Sequence, residues 1–251
     1  MSTIGRDRLK RLARLSDGKV RRADGLQLLE GRRLVSEALT AHRVTELFVR
    51  DEAAARRYAG MEPEIPVHCI GAQDMDRLAE VRTPQDVIGI GPLPSLLGVD
   101  AILAEHRRIL LLDGVQDPGN AGSLVRTGAA LGLSAVLLHG PTADITSPKV
   151  LRASAGTLFR SALGRVESAG ALDDALATHP HTLVLPVVHG GRSPREVRVP
   201  DAFLLALGNE GAGTSLAGDP SSALRITIPM SAGVESLNVA AACAAILGAW
   251  L

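Results

Sequence analysis

Three segments of the sequence combine small residues with polar side chains, and each follows an apolar run that is typical of a buried strand. They are "DPGNAGSLVRTG" after "RILLLD", "LGNEGAG" after "AFLLA", and "IPMSAGVESLNVAAA" after "ALRIT". In open α/β sheets, ligands bind beyond the carboxyl ends of the strands. The three segments are therefore the candidate ligand-binding loops.

The first segment places one arginine among small residues. Its "DPG" turn delivers Asn120, which we predict to be the N-cap of a helix over 120–131. Arg126 lies six residues further on, about 600° around such a helix and within two turns of the strand end. Because residues 121–123 are small, a bulky ligand could approach the backbone there. The alternative is that Arg126 is an ordinary surface residue.

The second segment is rich in glycine, which lets backbone N–H groups come close to a ligand. Asn209 and Glu210 add side chains that can form hydrogen bonds. The segment lacks the lysine of a phosphate-binding P-loop. It also lacks the GxGxxG pattern followed by a ribose-binding acid, which argues against a dinucleotide site. An ordinary glycine-rich turn is the alternative.

The third segment leads from a strand that ends at Pro229 into the last helix of the chain. We predict that Ser236 or Glu235 caps this helix and that its first turn presents Asn238. Polar residues then disappear from the helix, which predicts that it is buried. At about 1.5 Å per residue, its stretch over 236–251 is too short for a ~30 Å hydrocarbon core. A capped core helix without function is the alternative.

Helix and strand patterns alternate through the first hundred residues and indicate a small α/β domain. The predicted elements are helices at 6–15, 31–41, 52–59 and 72–79 and strands at 44–50, 65–70 and 87–90. The stretch "GPLPSLLGVD" is rich in proline and glycine and separates this domain from the next. We therefore predict domains at 1–98 and 99–251.

Uninterrupted apolar strands characterise the second half, which predicts a largely parallel sheet with helices on both faces. The predicted elements are strands at 108–113, 134–140, 182–188, 202–208 and 223–229 and helices at 120–131 and about 148–157, before the terminal helix.

The charge distribution favours an anionic partner for the N-terminal domain. The whole chain has 27 Lys and Arg against 27 Asp and Glu, yet its first fifty residues hold twelve basic and six acidic residues. This net charge of +6 is typical of a segment that meets a polyanion, although a solvated basic helix would look the same. The candidate RNA contacts are Arg21, Arg22, Arg32 and Arg33.

Cysteine, histidine and the N-terminus exclude several classes of protein. Cys69 and Cys243 lie far apart without a CxxC pattern or histidines at ligand spacing, so neither a disulfide framework nor a metal site is predicted. Both are expected to be buried, reduced thiols. The N-terminus is basic and lacks the apolar core of a signal peptide, which predicts a cytoplasmic protein without a membrane partner.

Together, the three segments resemble the signature motifs of the SpoU (TrmH) family of RNA ribose 2′-O-methyltransferases, in the SPOUT superfamily. The motifs stand here as "DPGNAGSLVRTGAALG", "LALGNEGAG" and "ITIPMSAGVESLNVAAA", and "SPKVLRASAGTLFR" is similar to the family's stretch between the first two. The resemblance covers residues 108–251. It extends more weakly to "LLEGRRLVSEAL" and "LAEVRTPQDVIGI", which look like the family's N-terminal substrate-binding domain.

The resemblance implies a fold that pattern reasoning would not propose. It is an α/β fold with a C-terminal SPOUT-type methyltransferase domain, tied in a trefoil knot, and a small N-terminal α/β RNA-binding domain. Knotted chains are rare exceptions among protein folds. The family binds S-adenosylmethionine in the knot and dimerises through it, so a homodimer is expected.

The resemblance also assigns roles to individual residues. Those expected at the cofactor are Gly208, Asn209, Gly211, Ile228, Pro229 and Leu237, with the backbone of Gly208, Ile228 and Leu237 holding its adenine and ribose. Those expected to take part in catalysis are Asn120, Arg126, Glu210, Ser236 and Asn238.

A ribose 2′-hydroxyl is a weak nucleophile that must be aligned with the sulfonium methyl group and lose its proton during attack. Family proposals give the arginine that matches Arg126 the role of general base. A guanidinium is a poor proton acceptor, however. We therefore hypothesise that Arg126 binds the phosphate beside the target ribose, with action as a base left open.

Aromatic residues make up only 2% of the chain, so a base-stacking platform is not expected and structured RNA is the favoured substrate. Of the family's targets we favour 23S ribosomal RNA over transfer RNA. Two other classes compete with this reading: a non-catalytic RNA-binding or ribosome-assembly protein, and a nicotinamide-dependent oxidoreductase. The second of these would need the glycine fingerprint that is missing here.

Overall fold

The computed structural model describes residues 4–80, 86–209, 213–216 and 223–250. The chain divides into two compact units. Unit 1 comprises Met1–Pro94 and Asp144–Phe159, and unit 2 comprises Ser95–Ala143 and Arg160–Leu251. A stretch of sixteen residues from the second half of the chain therefore belongs to the N-terminal unit.

Helices and strands alternate along most of the chain. The helices are α1 (Arg6–Ala13), α2 (Gly18–Asp24), α3 (Arg32–Thr40), α4 (Glu52–Met61), α5 (Ala72–Leu78), α6 (Val99–Glu105), α7 (Pro118–Ala130), α8 (Pro148–Ala153), α9 (Ala169–Thr178) and α10 (Val239–Gly248). The strands are β1 (Leu26–Glu30), β2 (Glu46–Val49), β3 (Val67–Cys69), β4 (Val87–Pro92), β5 (Leu97–Gly98), β6 (Arg108–Asp113), β7 (Ala135–His139), β8 (Ala162–Arg165), β9 (Thr182–Pro186), β10 (Phe203–Gly208) and β11 (Leu224–Ile226).

Unit 1 is built on a four-stranded mixed sheet in the order β1-β4-β2-β3. Strand β4 runs antiparallel to both of its neighbours, and β2 and β3 are parallel. Phe48 lies opposite Ile88 in the β2/β4 pair, and both are fully buried in a core that also takes in Leu12 of α1 and Met75 of α5. Burial of this apolar surface is the main force that holds unit 1 together.

Unit 2 is built on a seven-stranded sheet in the order β11-β9-β10-β6-β7-β8-β5, in which all the observed pairings are parallel. This confirms the predicted α/β fold with a largely parallel sheet. The β10/β6 register sets Leu204 against Ile109 at one end and Gly208 against Asp113 at the other. Apolar residues of the central strands form its core, and helices α6 and α9 pack against them.

Two of the predicted helices differ from the structure. The helix predicted over 148–157 ends at Ala153, because the backbone takes the left-handed conformation at Ala155 and Gly156. The terminal helix α10 is not wholly buried. Cys243, Ile246 and Leu247 are buried, whereas four small residues of the same helix are exposed: Ala241, Ala244, Ala245 and Gly248.

The two cysteines lie in different environments. Cys243 is buried, and burial raises the pKa of its thiol to about 12, which keeps it protonated and unreactive. Cys69 is only partly buried, so the prediction of burial is wrong for this residue. None of the helices in the described ranges combines the length and the apolar character that crossing a membrane requires.

The prediction that Arg21 contacts RNA is wrong, because this side chain lies in the interior of unit 1. Its guanidinium donates to the carbonyl oxygens of Leu15 and Ser16, each at 2.7 Å, and to Asp144 Oδ2 at 2.7 Å. Its Nε donates to Thr146 Oγ1 at 3.2 Å. Arg21 is only 2% exposed, so no phosphate can reach it without unfolding. The adjacent Arg22 is exposed.

The contact with Arg21 also changes the acidity of its partner. Burial opposes ionisation of Asp144, but hydrogen bonds from Thr146 and Arg21 outweigh it and hold the pKa of Asp144 below its ordinary value. The ion pair is therefore formed at neutral pH and fixes residues 144–146 against α2.

Arg21→Gln should destabilise the protein far more than Arg22→Gln. The first substitution leaves the Asp144 carboxylate without its buried partner, for which we expect a loss of about 3 kcal/mol or more in the free energy of unfolding. Arg22 lies 3.7 Å from the same carboxylate but has a side chain that is 64% exposed, so we expect a loss of less than about 1 kcal/mol. Urea unfolding followed by circular dichroism measures both. Equal losses would contradict a structural role specific to Arg21.

Candidate functional site

A cavity of about 410 Å³ lies beyond the carboxyl ends of three neighbouring strands of unit 2: β9, β10 and β11. The strand order reverses here, since β7 and β8 extend the sheet on one side of β6 while β10, β9 and β11 extend it on the other. Such a reversal opens a crevice at the sheet edge. The beginning of α10 closes the cavity, through Val239 and Ala242.

The walls of the cavity are mainly apolar, with a few polar groups. Val187, Ile226 and Ile228 contribute branched side chains, and Leu237 adds a further apolar surface. The polar groups are those of Asn209, Thr214, Ser236 and Asn238. Apolar walls with a few placed polar groups are typical of sites for small molecules and cofactors.

Gly208 ends β10 at the cavity, and no larger residue fits there. A Cβ atom at this position would lie 2.0 Å from the carbonyl oxygen of Gly213. The two flanking residues close the loop, because Asn209 N donates to Gly213 O at 3.0 Å and Gly213 N donates to Asn209 O at 2.8 Å. Glycine is thus required here by the close return of the backbone. Glu210 and Gly211 lie outside the described residues.

The first segment begins its helix earlier than predicted. Helix α7 starts at Pro118, and its N-cap is Asp117, whose carboxylate accepts a hydrogen bond from Asn120 N at 2.8 Å. The prediction that Asn120 is the N-cap is therefore wrong. As the third residue of the helix, Asn120 needs no oxygen for capping and can use its side chain elsewhere.

Asn120 and Asn238 join the first and third segments. Asn238 Nδ2 donates to Asn120 Oδ1 at 2.9 Å. Asn238 is itself the N-cap of α10, because its Oδ1 accepts from Ala240 N at 2.9 Å. Capping occupies its oxygen and so directs its amide nitrogen towards Asn120. The predicted caps, Ser236 and Glu235, do not fill this position.

Arg126 is exposed on α7 and does not line the cavity. Six residues of α-helix turn its side chain through about 600° and carry it about 9 Å along the axis from Asn120. It therefore leaves α7 in a different direction from Asn120. The guanidinium is open to a ligand that approaches from outside the chain.

The cavity brings together many of the residues selected from the sequence. Those that line it are Gly208, Asn209, Ile228, Ser236, Leu237 and Asn238. Pro229 is exposed and is not part of the lining. The roles assigned to these residues remain predictions.

Sequence reasoning missed several residues of the lining, including Val187, Thr214 and Met230. Val187 follows β9, whose carboxyl end meets the same edge of the sheet, so a search of every strand end would have found it. Thr214 and Met230 gave no comparable signal. Within the described ranges, no group of three or more His, Cys, Asp and Glu side chains could hold a metal ion.

The geometry is that of an α/β protein with a cofactor-sized cleft at the reversal of a parallel sheet, and comparison with known families identifies the class. The SpoU rRNA Methylase family model matches residues 107–248, and a model of the MRM3-like substrate binding domain matches residues 6–89. The chain belongs to the SpoU rRNA methylase family.

Individual relatives are similar along nearly the whole chain. The 23S rRNA (guanosine(2553)-2′-O)-methyltransferase RlmP of Bacillus subtilis is 32% identical over 238 residues, which is 94% of this chain and 93% of that protein. The SpoU methyltransferase AviRb of Streptomyces viridochromogenes, in complex with the cofactor AdoMet, superposes with a TM-score of 0.85 at 27% identity, covering 98% of this chain and 97% of that one.

A third similar structure is that of a putative RNA methyltransferase of the TrmH family from Porphyromonas gingivalis. It superposes with a TM-score of 0.83 at 30% identity and covers 99% of this chain and 98% of that chain. Both domains of the relatives therefore have counterparts here.

Gly208→Ala should disrupt the loop, because the added methyl group would meet the backbone of Gly213. Backbone cannot move aside as a flexible side chain can, so we expect the free energy of unfolding to fall by about 1–3 kcal/mol. Gly170→Ala is the matched control. It lies in the first turn of α9 with its nearest neighbour at 4.0 Å, and the added alanine should stabilise by up to about 1 kcal/mol. Chemical denaturation measures both. A neutral Gly208→Ala would show that the loop can open at no cost.

Proposed function

We propose that the protein is an S-adenosylmethionine-dependent RNA 2′-O-ribose methyltransferase that acts on 23S ribosomal RNA. The observation that carries the proposal is that the second and third sequence motifs line one cleft, through Gly208 and Asn238, and that the first motif is joined to it by the hydrogen bond between Asn120 and Asn238, in a chain of the SpoU rRNA methylase family. The similar Bacillus subtilis protein is named for a 2′-O-methylation of 23S rRNA.

The cavity suits the proposed cofactor in size and in chemistry. Its volume of about 410 Å³ falls within the ~300–1,000 Å³ that is usual for small-molecule sites. Ile226, Ile228 and Leu237 supply apolar surface against which an adenine ring can pack. Gly208 lines the cavity at the end of β10. These groups, with Asn209 and the predicted contribution of Gly211 and Pro229, would hold the cofactor.

When bound, S-adenosylmethionine supplies an electrophilic methyl group on its sulfonium. The chain must then align a ribose 2′-hydroxyl with that group, and positioning of this kind can lower a barrier by about 7–11 kcal/mol. Asn120 and Asn238 fix each other and can orient the ribose at the cleft. Ser236 lines the same wall, and Glu210 is predicted to lie beside it.

Arg126 binds the phosphate next to the target ribose in this proposal. Its exposed position on α7 leaves the guanidinium accessible to a backbone phosphate, and its planar fork matches phosphate oxygens. This role needs no proton transfer by arginine. It also explains why the residue lies outside the cofactor cavity and still belongs to the motif.

Unit 1 carries the RNA-binding surface in this proposal. Arg22 and Arg33 are exposed, and Arg32 has a side chain that is 60% exposed although it pairs with Asp86. The match of residues 6–89 to a substrate-binding domain of a ribosomal RNA methyltransferase supports this assignment.

We also propose a homodimer, a cytoplasmic location and a knotted chain path for unit 2. Support for the dimer comes from the exposed face of α10, where Ala241, Ala244, Ala245 and Gly248 form a strip of small residues that would let a second helix approach closely. The cytoplasm is where the proposed ribosomal substrate occurs. The knot rests on the family resemblance.

The experiment that tests the proposed function is incubation with labelled S-adenosylmethionine and separate pools of unmodified ribosomal and transfer RNA, followed by mapping of alkali-resistant linkages. Resistance at one position of 23S rRNA is the expected result. Label in transfer RNA alone would identify transfer RNA as the substrate instead. Cofactor binding without transfer into either pool would favour an RNA-binding assembly factor.

Arg126→Lys should lower the methylation rate about 10- to 100-fold, because one ammonium cannot reproduce the two parallel hydrogen bonds of a guanidinium. Binding of S-adenosylhomocysteine should not change, since Arg126 lies outside the cavity. Single-turnover methylation measures the rate. Arg56→Lys, at an exposed position of α4, is the control and should keep the parental rate. Parental activity of Arg126→Lys would refute the bidentate role.

Charge reversal at Arg32 and Arg33 should weaken RNA binding and reduce its dependence on salt, because each phosphate contact contributes to counterion release. Binding of S-adenosylhomocysteine should stay the same. Filter binding at several salt concentrations measures the effect. Reversal of Arg56 and Arg57 on α4 changes the charge by the same amount and should have a smaller effect. Equal effects of the two pairs would mean that only net charge matters.

A further inference from the structure

Asp113 is a buried carboxylate that none of the three motifs includes. It is the last residue of β6, its side chain is 2% exposed, and it lies opposite Gly208 in the register of β10 and β6. It is therefore placed beside the residue at which the chain enters the proposed cofactor loop. A buried charge persists only where hydrogen bonds compensate for the loss of water.

Three consecutive residues supply most of that compensation. Thr214 Oγ1 donates to Asp113 Oδ2 at 2.6 Å, and Leu216 N donates to the same oxygen at 3.1 Å. Ser215 donates through both its backbone N–H, to Oδ2, and its hydroxyl, 3.0 Å from Oδ1. His139 at the end of β7 adds a contact of 2.8 Å from Nδ1 to Oδ1.

The hydrogen bonds keep the carboxylate ionised. Burial by itself opposes ionisation of Asp113, but donors from Thr214, His139 and Ser215 outweigh it and lower the pKa of this group. At neutral pH the carboxylate is therefore an acceptor only, and it can satisfy several donors at once. A neutral amide of the same shape could not.

The donors belong to the return leg of the loop that starts at Gly208. Asn209 and Gly213 bond to each other across the base of the loop, and residues 214–216 are then tied to Asp113. Gly213 and Thr214 both line the cavity. The geometry of this wall thus depends on a carboxylate that does not itself line the cavity.

We infer that Asp113 is a positioning residue, which holds the return leg 213–216 in the form that accepts S-adenosylmethionine. This inference rests on the proposed function. It assigns to Asp113 an effect on cofactor affinity, exerted through Thr214 and its neighbours. We expect the contact to act on cofactor affinity rather than on RNA affinity or on the rate at saturating cofactor, because Gly213 and Thr214 line the cavity and the described partners of Asp113 include none of the proposed catalytic residues.

The test measures the dissociation constant for S-adenosylhomocysteine by calorimetry and, separately, kcat and the KM values for S-adenosylmethionine and RNA. Asp113→Asn turns one acceptor oxygen into a donor that faces other donors. We expect it to raise the dissociation constant and the cofactor KM about ten-fold or more. kcat at saturating cofactor and KM for RNA should change less than about two-fold, within the scatter of sites that share no partner.

Thr214→Val keeps the inference testable if Asp113→Asn does not fold. It removes one donor to Asp113 and preserves the shape of the side chain, and a several-fold rise in cofactor KM is expected. Thr142→Val is the matched control. Thr142 lies at the same end of the sheet, donates to Leu112 O or His139 O and accepts from Gly114 N at 3.0 Å, but its hydrogen bonds reach neither the Asp113 side chain nor residues 213–216. It should leave the cofactor KM unchanged.

The possible outcomes distinguish a failure of this inference from a failure of the proposed function. If the parental protein binds no S-adenosylhomocysteine, the proposed function fails. If the parental protein binds it and Thr214→Val and Asp113→Asn bind it equally well, the positioning role is overturned. A fall in kcat with an unchanged cofactor KM would likewise overturn it, because that pattern indicates general damage to the fold.

Discussion

The site depends on the parallel alignment of the central strands of unit 2. Because β6 and β10 run in the same direction and in register, their last residues, Asp113 and Gly208, lie side by side. In a parallel sheet, the carboxyl ends of all the strands lie at the same edge. Two residues that are 95 positions apart in the sequence therefore meet, although neither segment carries a sequence signal for the contact. The loops that follow inherit their positions from the sheet, and their side chains need only complete the arrangement.

Hydrogen bonds between the loops complete the arrangement of the site. Asn238 uses its oxygen to cap α10 and its nitrogen to reach Asn120, so the start of one helix is fixed against the start of another. Asp113 fixes the return leg of the glycine loop by accepting a hydrogen bond from Thr214. The contacts of Asp113 satisfy a carboxylate whose side chain is 2% exposed, and a polar group left buried without a partner would cost about 1–3 kcal/mol. A rigid cleft with few charged groups in its wall is the result.

The sequence predicted elements well where the signal is local and poorly where a partner is distant. Helix α4 and strand β4 were predicted to within two residues, since apolar periodicity and turn residues define them. Strand β1 was missed because Gln27 and Glu30 interrupt its apolar run. Both are nevertheless buried: Gln27 Nε2 donates to Pro92 O, and Glu30 accepts from Arg152 Nη1 at 2.9 Å, across 122 positions of sequence. The glycine loop was predictable from composition, whereas the contact between Asn120 and Asn238 was not.

The charges of unit 1 also show what the sequence cannot predict. The ion pair that each arginine forms decides whether it is available to RNA. The +6 of the first fifty residues counts every arginine alike. Arg8 pairs with the buried carboxylate of Glu46 at 2.7 Å, so its transfer to a phosphate would leave that buried charge with only His68, at 3.5 Å, which is costly. Arg32 pairs with Asp86, whose side chain is 45% exposed, and such a surface pair is worth only about 0–1 kcal/mol. A phosphate can therefore compete with Asp86 for Arg32. Arg8 remains paired with Glu46, and Arg21 remains paired with Asp144. The RNA-binding surface is thus defined by how deeply each arginine and its counterion are buried, a property that net charge along the sequence does not contain.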